Sequence, residues 1–237
     1  MIEEILPRAV VAVEAFEDAA GPELFPEEEA LIARAVQKRR DEFATVRACA
    51  REALAKLGQP AVPILPGERG APVWPRGVVG SMSHCEGYRV CAVAPSVDVL
   101  TVGVDAEPNA AVPDGVLEAV SDAAERAWIA ELAVARPDIS WDRLLFCAKE
   151  AVYKAWFPLT RRWLDFSEAT VTVDPEAGTF AARLLVQGRT PEGGPITGFR
   201  GRWLAGRGLL VAAIAVPRGD TPSGGHPLQY TSRRPSP

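Results

Sequence analysis

At 237 residues, with 48% hydrophobic side chains and a net charge of −5, the chain is long enough for one large domain or two small ones around a real core. The acidic balance argues against a general nucleic-acid binder. No apolar run approaches the ~20 residues needed to cross a bilayer.

Charge is uneven along the chain. Residues 1–29 are acidic and residues 34–56 are basic. The start, Met1-Ile2-Glu3-Glu4, lacks the positive charge of a signal peptide. Cys49, Cys85, Cys91 and Cys147 lie in apolar or small-residue runs without metal-type spacing and read as buried free thiols. A soluble protein of the reducing cytoplasm is expected.

In chain order, Ile5 to Phe16 reads as a short strand or extended arm. Pro26 opens a helix with Glu27, Glu28 and Glu29 in its first turn, where the helix dipole favours them. Lys38 to Leu57 is a strong helix, because Phe43, Val46, Ala50, Leu54 and Leu57 recur at helical spacing, and Gly58 ends it. Residues 59–77 are rich in proline and glycine. Val62, Ile64, Leu65 and Trp74 interrupt them, so an ordered loop is expected. Three strands follow, Val78 to Ser83, Tyr88 to Ala94 and Val99 to Val104, and their short connections predict antiparallel pairing.

Residues 114–135 read as helical, with Arg136-Pro137-Asp138 as a break. Asp138 or Ser140 then caps a long helix that Phe157-Pro158 terminates. The rest is β-rich: Ala169 to Asp174, Thr179 to Val186, Ile196 to Leu204 and Leu209 to Val216, with a hairpin turn at Arg207-Gly208. The predicted fold class is α+β, with two halves of comparable size, residues 1–108 and 109–217, joined near Pro108. Residues 218–237 read as a disordered tail or a cloning remnant.

Three groups of residues carry chemistry. Strand alternation puts Asp105 and Glu107 on one side of their strand, and helical spacing puts Glu150 and Lys154 on one face of theirs. Three carboxylates and a lysine from two elements can build a magnesium site for phosphate chemistry. The plainer reading is a surface acid pair and an exposed Glu150–Lys154 pair worth a few tenths of a kcal/mol. His84 reads either as a hydrogen-bonded core residue or as a phosphate contact, with Ser83 donating beside it. Arg39, Arg40 and Arg47 are either a solvated face or a phosphomonoester site, which Arg69 joins from the loop.

With these blocks in place, the chain resembles the Sfp-type 4′-phosphopantetheinyl transferases, within them the single-chain bacterial group of siderophore-synthesis and mycobacterial-type enzymes. The resemblance is carried by Gly103-Val104-Asp105-Ala106-Glu107, by Trp141-Asp142-Arg143-Leu144-Leu145 and by Phe146-Cys147-Ala148-Lys149-Glu150-Ala151-Val152-Tyr153-Lys154-Ala155-Trp156. Lys38-Arg39-Arg40-Asp41-Glu42-Phe43, Val46-Arg47, Val79-Gly80-Ser81-Met82-Ser83-His84-Cys85 and Phe157-Pro158-Leu159-Thr160 with Trp163 add to it. It runs from about Val13 to Val216.

The resemblance implies two similar α+β halves in a pseudo-two-fold arrangement, with coenzyme A in the cleft between them. It implies Mg²⁺ held by Asp105, Glu107 and Glu150. Arg39, Arg47 and His84 would hold the nucleotide 3′-phosphate with Ser83 nearby, and Lys149 and Lys154 would face the pyrophosphate. The activity implied is transfer of the phosphopantetheine arm to a serine of an apo acyl or peptidyl carrier protein, of fatty-acid, polyketide or non-ribosomal peptide type. Asp105, Glu150 and Lys154 would carry the catalysis, by a monomer. Pro66 stands where related enzymes often have a lysine at the start of the loop, while the basic Arg69 inside the loop survives.

Three rival readings follow from the same residues. One is another magnesium-dependent phosphotransferase or nucleotidyltransferase, which would want a Gly-rich phosphate loop or a third acid beside the pair. The others are a non-catalytic binder of coenzyme A or carrier proteins, and a structural domain with surface acids.

Overall fold

The computed structural model describes residues 1–18 and 23–225. After a 3-10 turn at Ile2–Ile5, the elements are β1 (Val11–Ala15), α1 (Pro26–Ile32), α2 (Gln37–Lys56), β2 (Val78–Cys85), β3 (Tyr88–Pro95), β4 (Val99–Pro108), α3 (Val116–Val120), α4 (Ala123–Ala135), α5 (Trp141–Thr160), β5 (Ala169–Asp174), β6 (Thr179–Arg189), β7 (Pro195–Gly206) and β8 (Leu209–Pro217). No helix among the described residues is long and apolar enough to cross a membrane.

Two antiparallel sheets result, ordered β1-β3-β2 and β4-β8-β7-β6-β5. Helix α2 covers the first sheet through Ala50, Ala53 and Leu54, which meet Val13, Cys91 and Val93. Helix α5 covers the second through Leu144, Val152 and Trp156, which meet Val171, Phe199 and Ile214. The sheets pack on each other through Tyr88, Val90 and Ala92 of β3 against Val102 and Val104 of β4 and Val211 of β8. The layers are therefore helix, sheet, sheet, helix. Strand alternation sorts each strand between two layers. In β4 the even residues Val102, Val104 and Ala106 enter the inter-sheet core, leaving Thr101, Gly103, Asp105 and Glu107 for the α5 side.

The α+β class stands, and the passage between the two sheets falls before the join expected near Pro108. β4 does not pair with β3. It runs antiparallel to β8, from Val99 opposite Pro217 to Pro108 opposite Leu209. The chain passes from one sheet to the other between β3 and β4, and the parts are unequal, with three strands and five. β2 and β4 lie side by side without a ladder. Ser81 bridges them, its Oγ accepting from Val104 N at 3.0 Å.

Other boundaries shift for local reasons. The helix expected over 114–135 is two helices, because Asp122 caps α4 with Glu125 closing a capping box. Ser140 holds the N-cap position of α5 without a side-chain cap bond. Pro158 sits inside α5 rather than ending it: the helix runs to Thr160, and Arg161, at φ 55, closes it by donating to the Phe157 carbonyl at 2.8 Å. In the last turn proline removes one bond and nothing downstream depends on it. Arg207 and Gly208 both take positive φ, 54 and 73, as the tight β7–β8 hairpin requires.

The expected disorder of residues 218–237 is corrected over 218–225. Thr197 N donates to Pro222 O at 3.0 Å, and Pro222 and Gly224 are buried against the second sheet. His226 and the rest of that tail lie outside the described residues.

Candidate active site

The close approach of β4 and α5 builds the site. A Cβ on Gly103 would overlap the Ala151 carbonyl oxygen and crowd Ala155 N, so only glycine lets the strand lie this near the helix. Thr101 Oγ1 fastens the contact by donating to the Ala155 carbonyl at 2.9 Å. Two residues beyond Gly103, Asp105 faces the turn of α5 that carries Glu150 and Lys154.

There Lys154 Nζ donates to Asp105 Oδ1 at 2.7 Å and to Ser83 Oγ at 3.1 Å, and Ser83 Oγ donates to the same Asp105 oxygen at 2.8 Å. The knot joins β2, β4 and α5. Burial works against the Lys154 charge, but Asp105 overcomes it and raises its pKa. Asp105 Oδ2 is buried with no hydrogen-bond partner among the described residues. Burial and the Asp105 charge push the Glu150 carboxyl above its ordinary value, while Lys154 pulls it down. Glu107 is raised likewise, by burial first and then Asp105, against the opposing pull of Arg143. Its carboxylate pairs with the Arg143 guanidinium at 3.0 Å.

The three acids thus share one electrostatic field but do not form a ready-made cage. Among the described residues, no group of three His, Cys, Asp or Glu side chains is close enough to hold a metal. Asp105 and Glu107 each lie against a side-chain cation, Lys154 and Arg143. The donors still suit a hard cation. They are carboxylate oxygens, and Asp105 keeps one buried oxygen without a partner, an arrangement costly in itself that a divalent ion would relieve.

Glu150 and Lys154 line a cleft of about 610 Å³. Its far wall is β2 and the proline-rich loop, from which Arg69 reaches across the opening. Arg69 takes φ 52, and its guanidinium lies 5.4 Å from the ring centre of the exposed Trp163. Tyr153 and Phe157 line the α5 side.

The nucleotide-side candidates divide. Ser83 and His84 are neighbours on β2 and point to opposite faces. His84 Nε2 lies 2.7 Å from Arg39 Nη1 at an exposed position, with Glu42 4.0 Å away. Burial and the Arg39 charge lower the His84 pKa, so the ring accepts from Arg39 as the neutral form. Arg47 is turned into the packing. Its guanidinium stacks 3.7 Å over Phe43 and donates to the Ile64 carbonyl at 3.3 Å, and burial pushes its pKa down to about 10. Its Nε is buried without a partner among the described residues. Arg40 donates to the Ile32 carbonyl at 3.1 Å.

Lys149 does not face the cleft chemistry, contrary to expectation. Its ammonium is buried behind α5, 2.8 Å from Glu125 and bonded to the Val120 and Phe166 carbonyls at 2.6 and 3.0 Å. Residues 149 and 150 are a hundred degrees apart around the helix, so only Lys154 shares the Glu150 face. Gly103, Thr101 and Arg143 were missed as site builders. Arg143, seven residues before Glu150, lies on the same helical face, a signal the sequence did contain.

Residues 27–94 match the family model of the 4′-phosphopantetheinyl transferase N-terminal domain, and residues 101–192 match that of the 4′-phosphopantetheinyl transferase superfamily. The chain is 59% identical to 4′-phosphopantetheinyl transferase Svp of Streptomyces mobaraensis, over 91% of this chain and 89% of that protein. The chain belongs to the 4′-phosphopantetheinyl transferase superfamily. It is also 52% identical to 4′-phosphopantetheinyl transferase Npt of Nocardia iowensis, over 91% of this chain and 99% of the relative. Identity to 4′-phosphopantetheinyl transferase PptT of Mycobacterium tuberculosis is 48%, over 91% and 98%. The gap between the two matched segments falls where this transferase passes from its first sheet to its second.

Proposed function

We propose that the chain transfers the 4′-phosphopantetheine arm of coenzyme A to a serine of apo acyl or peptidyl carrier proteins, releasing adenosine 3′,5′-bisphosphate. The observation that carries this reading is the Ser83–Asp105–Lys154 knot beside Glu150, of which Lys154 and Glu150 line a cleft. It sets an ammonium, which can meet a phosphate, among carboxylates that suit a hard cation. Membership of the superfamily supplies the reaction class.

The serine oxygen attacks the β-phosphorus, a new O–P bond forms, and the bond to the oxygen bridging the α-phosphate breaks. The serine proton goes to a base. Glu150, or a water bound near it, suits that role: Glu150 lines the cleft, and among the described residues its carboxylate has no hydrogen-bond or ion-pair partner. Lys154 suits the opposite role. Two hydrogen-bond acceptors hold its ammonium charged, so it opposes the negative charge that shifts onto the phosphates. Arg39 and His84 suit the 3′-phosphate, with Arg47 behind them and Arg69 facing the cleft. Asp105 and Glu150, with Glu107 beside them, would hold Mg²⁺. That ion, when bound, would neutralise the diphosphate and bring it toward these residues.

We further read the protein as a cytoplasmic monomer that works on neither nucleic acid nor membrane. The deciding experiment mixes the protein with Mg²⁺, coenzyme A and an apo carrier protein, then weighs the carrier by mass spectrometry. Gain of one phosphopantetheine is expected, and an unchanged carrier with every class of apo carrier defeats the reading.

A further inference from the structure

Arg143 has no part in the transfer described above, yet each of its three guanidinium nitrogens makes a hydrogen bond. On the first turn of α5, it donates from Nη1 to Glu107 Oε2 at 3.0 Å, from Nε to the Ala110 carbonyl at 3.0 Å and from Nη2 to the Ala111 carbonyl at 2.8 Å. The side chains of Arg143 and Glu107 are only 17% and 20% exposed. Neighbouring bonds lock the same junction. Asp142 accepts from Val112 N at 2.9 Å, and Asn109 accepts from Ser140 N at 2.9 Å while donating to the Asp138 carbonyl at 2.8 Å. The segment leaving β4 is thereby clamped to the start of the helix whose later turns carry Glu150 and Lys154.

We propose that Arg143 is the positioning residue of the acidic pair, holding Glu107 beside Asp105 so that the chain binds a divalent cation tightly. This rests on the proposed function. Two of its three bonds shape the loop, and those alone would make it structural. The third goes to a carboxylate of the pair, which a purely loop-shaping arginine has no need to touch. Glu107 stands where β4 leaves the core: Asp105 is buried, Glu107 is half-buried, and Ala110 is exposed. Beside the like charge of Asp105, an unheld Glu107 turns outward to water. The planar fork of arginine spreads these bonds over three nitrogens in fixed directions, a geometry that the single-centre ammonium of lysine does not reproduce.

The test uses Arg143→Lys and Arg143→Met in the full chain. Binding of Mg²⁺ to the protein with coenzyme A is titrated by calorimetry. Melting of the ligand-free protein and coenzyme A binding in chelator are the controls. Arg143→Met is expected to weaken Mg²⁺ binding about tenfold, the usual effect of removing an outer partner of a metal-holding carboxylate. Arg143→Lys should recover only part of that loss, and kcat at saturating Mg²⁺ should be retained in both. Unchanged or tighter Mg²⁺ binding in a folded variant overturns the proposal. If Arg143→Met does not fold, Arg143→Lys decides by the same criterion. A wild-type protein that binds no Mg²⁺ with coenzyme A and modifies no carrier would sink the proposed function itself. A wild type that does both, with variants indistinguishable from it in Mg²⁺ binding, overturns only the role of Arg143.

Discussion

Asp105 and Lys154 meet at 2.7 Å although one belongs to a strand and the other to the helix that covers the strand's face, forty-nine residues later. Their side chains are 6% and 27% exposed. Removing either leaves a largely desolvated charge alone. Asp105→Asn is therefore expected to cost about 2–3 kcal/mol, below the range for a fully buried pair, and to abolish transfer. Chemical denaturation checks the first effect and carrier mass the second. The double variant Asp105→Asn with Lys154→Met should recover part of the stability and none of the activity.

Gly103→Ala should be more damaging than its size suggests. The added methyl meets the backbone of α5, which cannot yield without moving Glu150 and Lys154. We expect a loss of about 3 kcal/mol. Coenzyme A binding should weaken as well. Gly58→Ala is the contrast: that residue has φ 72 with open space around it, so it should cost about 1 kcal/mol of backbone strain and leave coenzyme A binding intact.

Lys149→Met separates a structural lysine from a phosphate-binding one. Glu125 would be left fully buried with its charge unpaired, at a cost of about 3–5 kcal/mol. At a temperature where the variant remains folded, its affinity for coenzyme A should equal that of the wild type. A marked loss of affinity there would restore the pyrophosphate role that resemblance implied.

Glu150→Gln should abolish transfer while raising the melting temperature near neutral pH. The Glu150 pKa is raised in the folded protein by burial and Asp105, so its charged form opposes folding. The folded state then binds the proton more tightly than the unfolded state. That destabilisation is absent below the ordinary carboxylate pKa and grows as pH rises from there through the folded value. The advantage of the neutral glutamine should therefore vanish at low pH. Melting curves of both proteins across pH test this, and equal melting temperatures at neutral pH would contradict it.

Much of this was legible because periodicity is local. The apolar repeats of α2 and α5 gave their extents to within a few residues, and strand alternation placed Asp105 and Glu107 on one side of β4. The partner of β4 was not legible. A turn at Ser96-Val97-Asp98 looks the same whether the next strand folds back onto β3 or crosses to another sheet. The choice is made about a hundred residues later, by β8, whose buried faces fit between the two cores. Arg143 was hidden among motif residues for a related reason, since its carbonyl partners are supplied by backbone shape rather than by residue type.

Ser81, standing between β2 and β4, has a mechanical consequence. Each sheet is internally continuous, but along this line the union relies on side chains: one hydroxyl at Ser81 and, farther along, the Ser83–Asp105–Lys154 knot. Neither ladder crosses that seam, and the residues that would grip the diphosphate are among the rivets that close it.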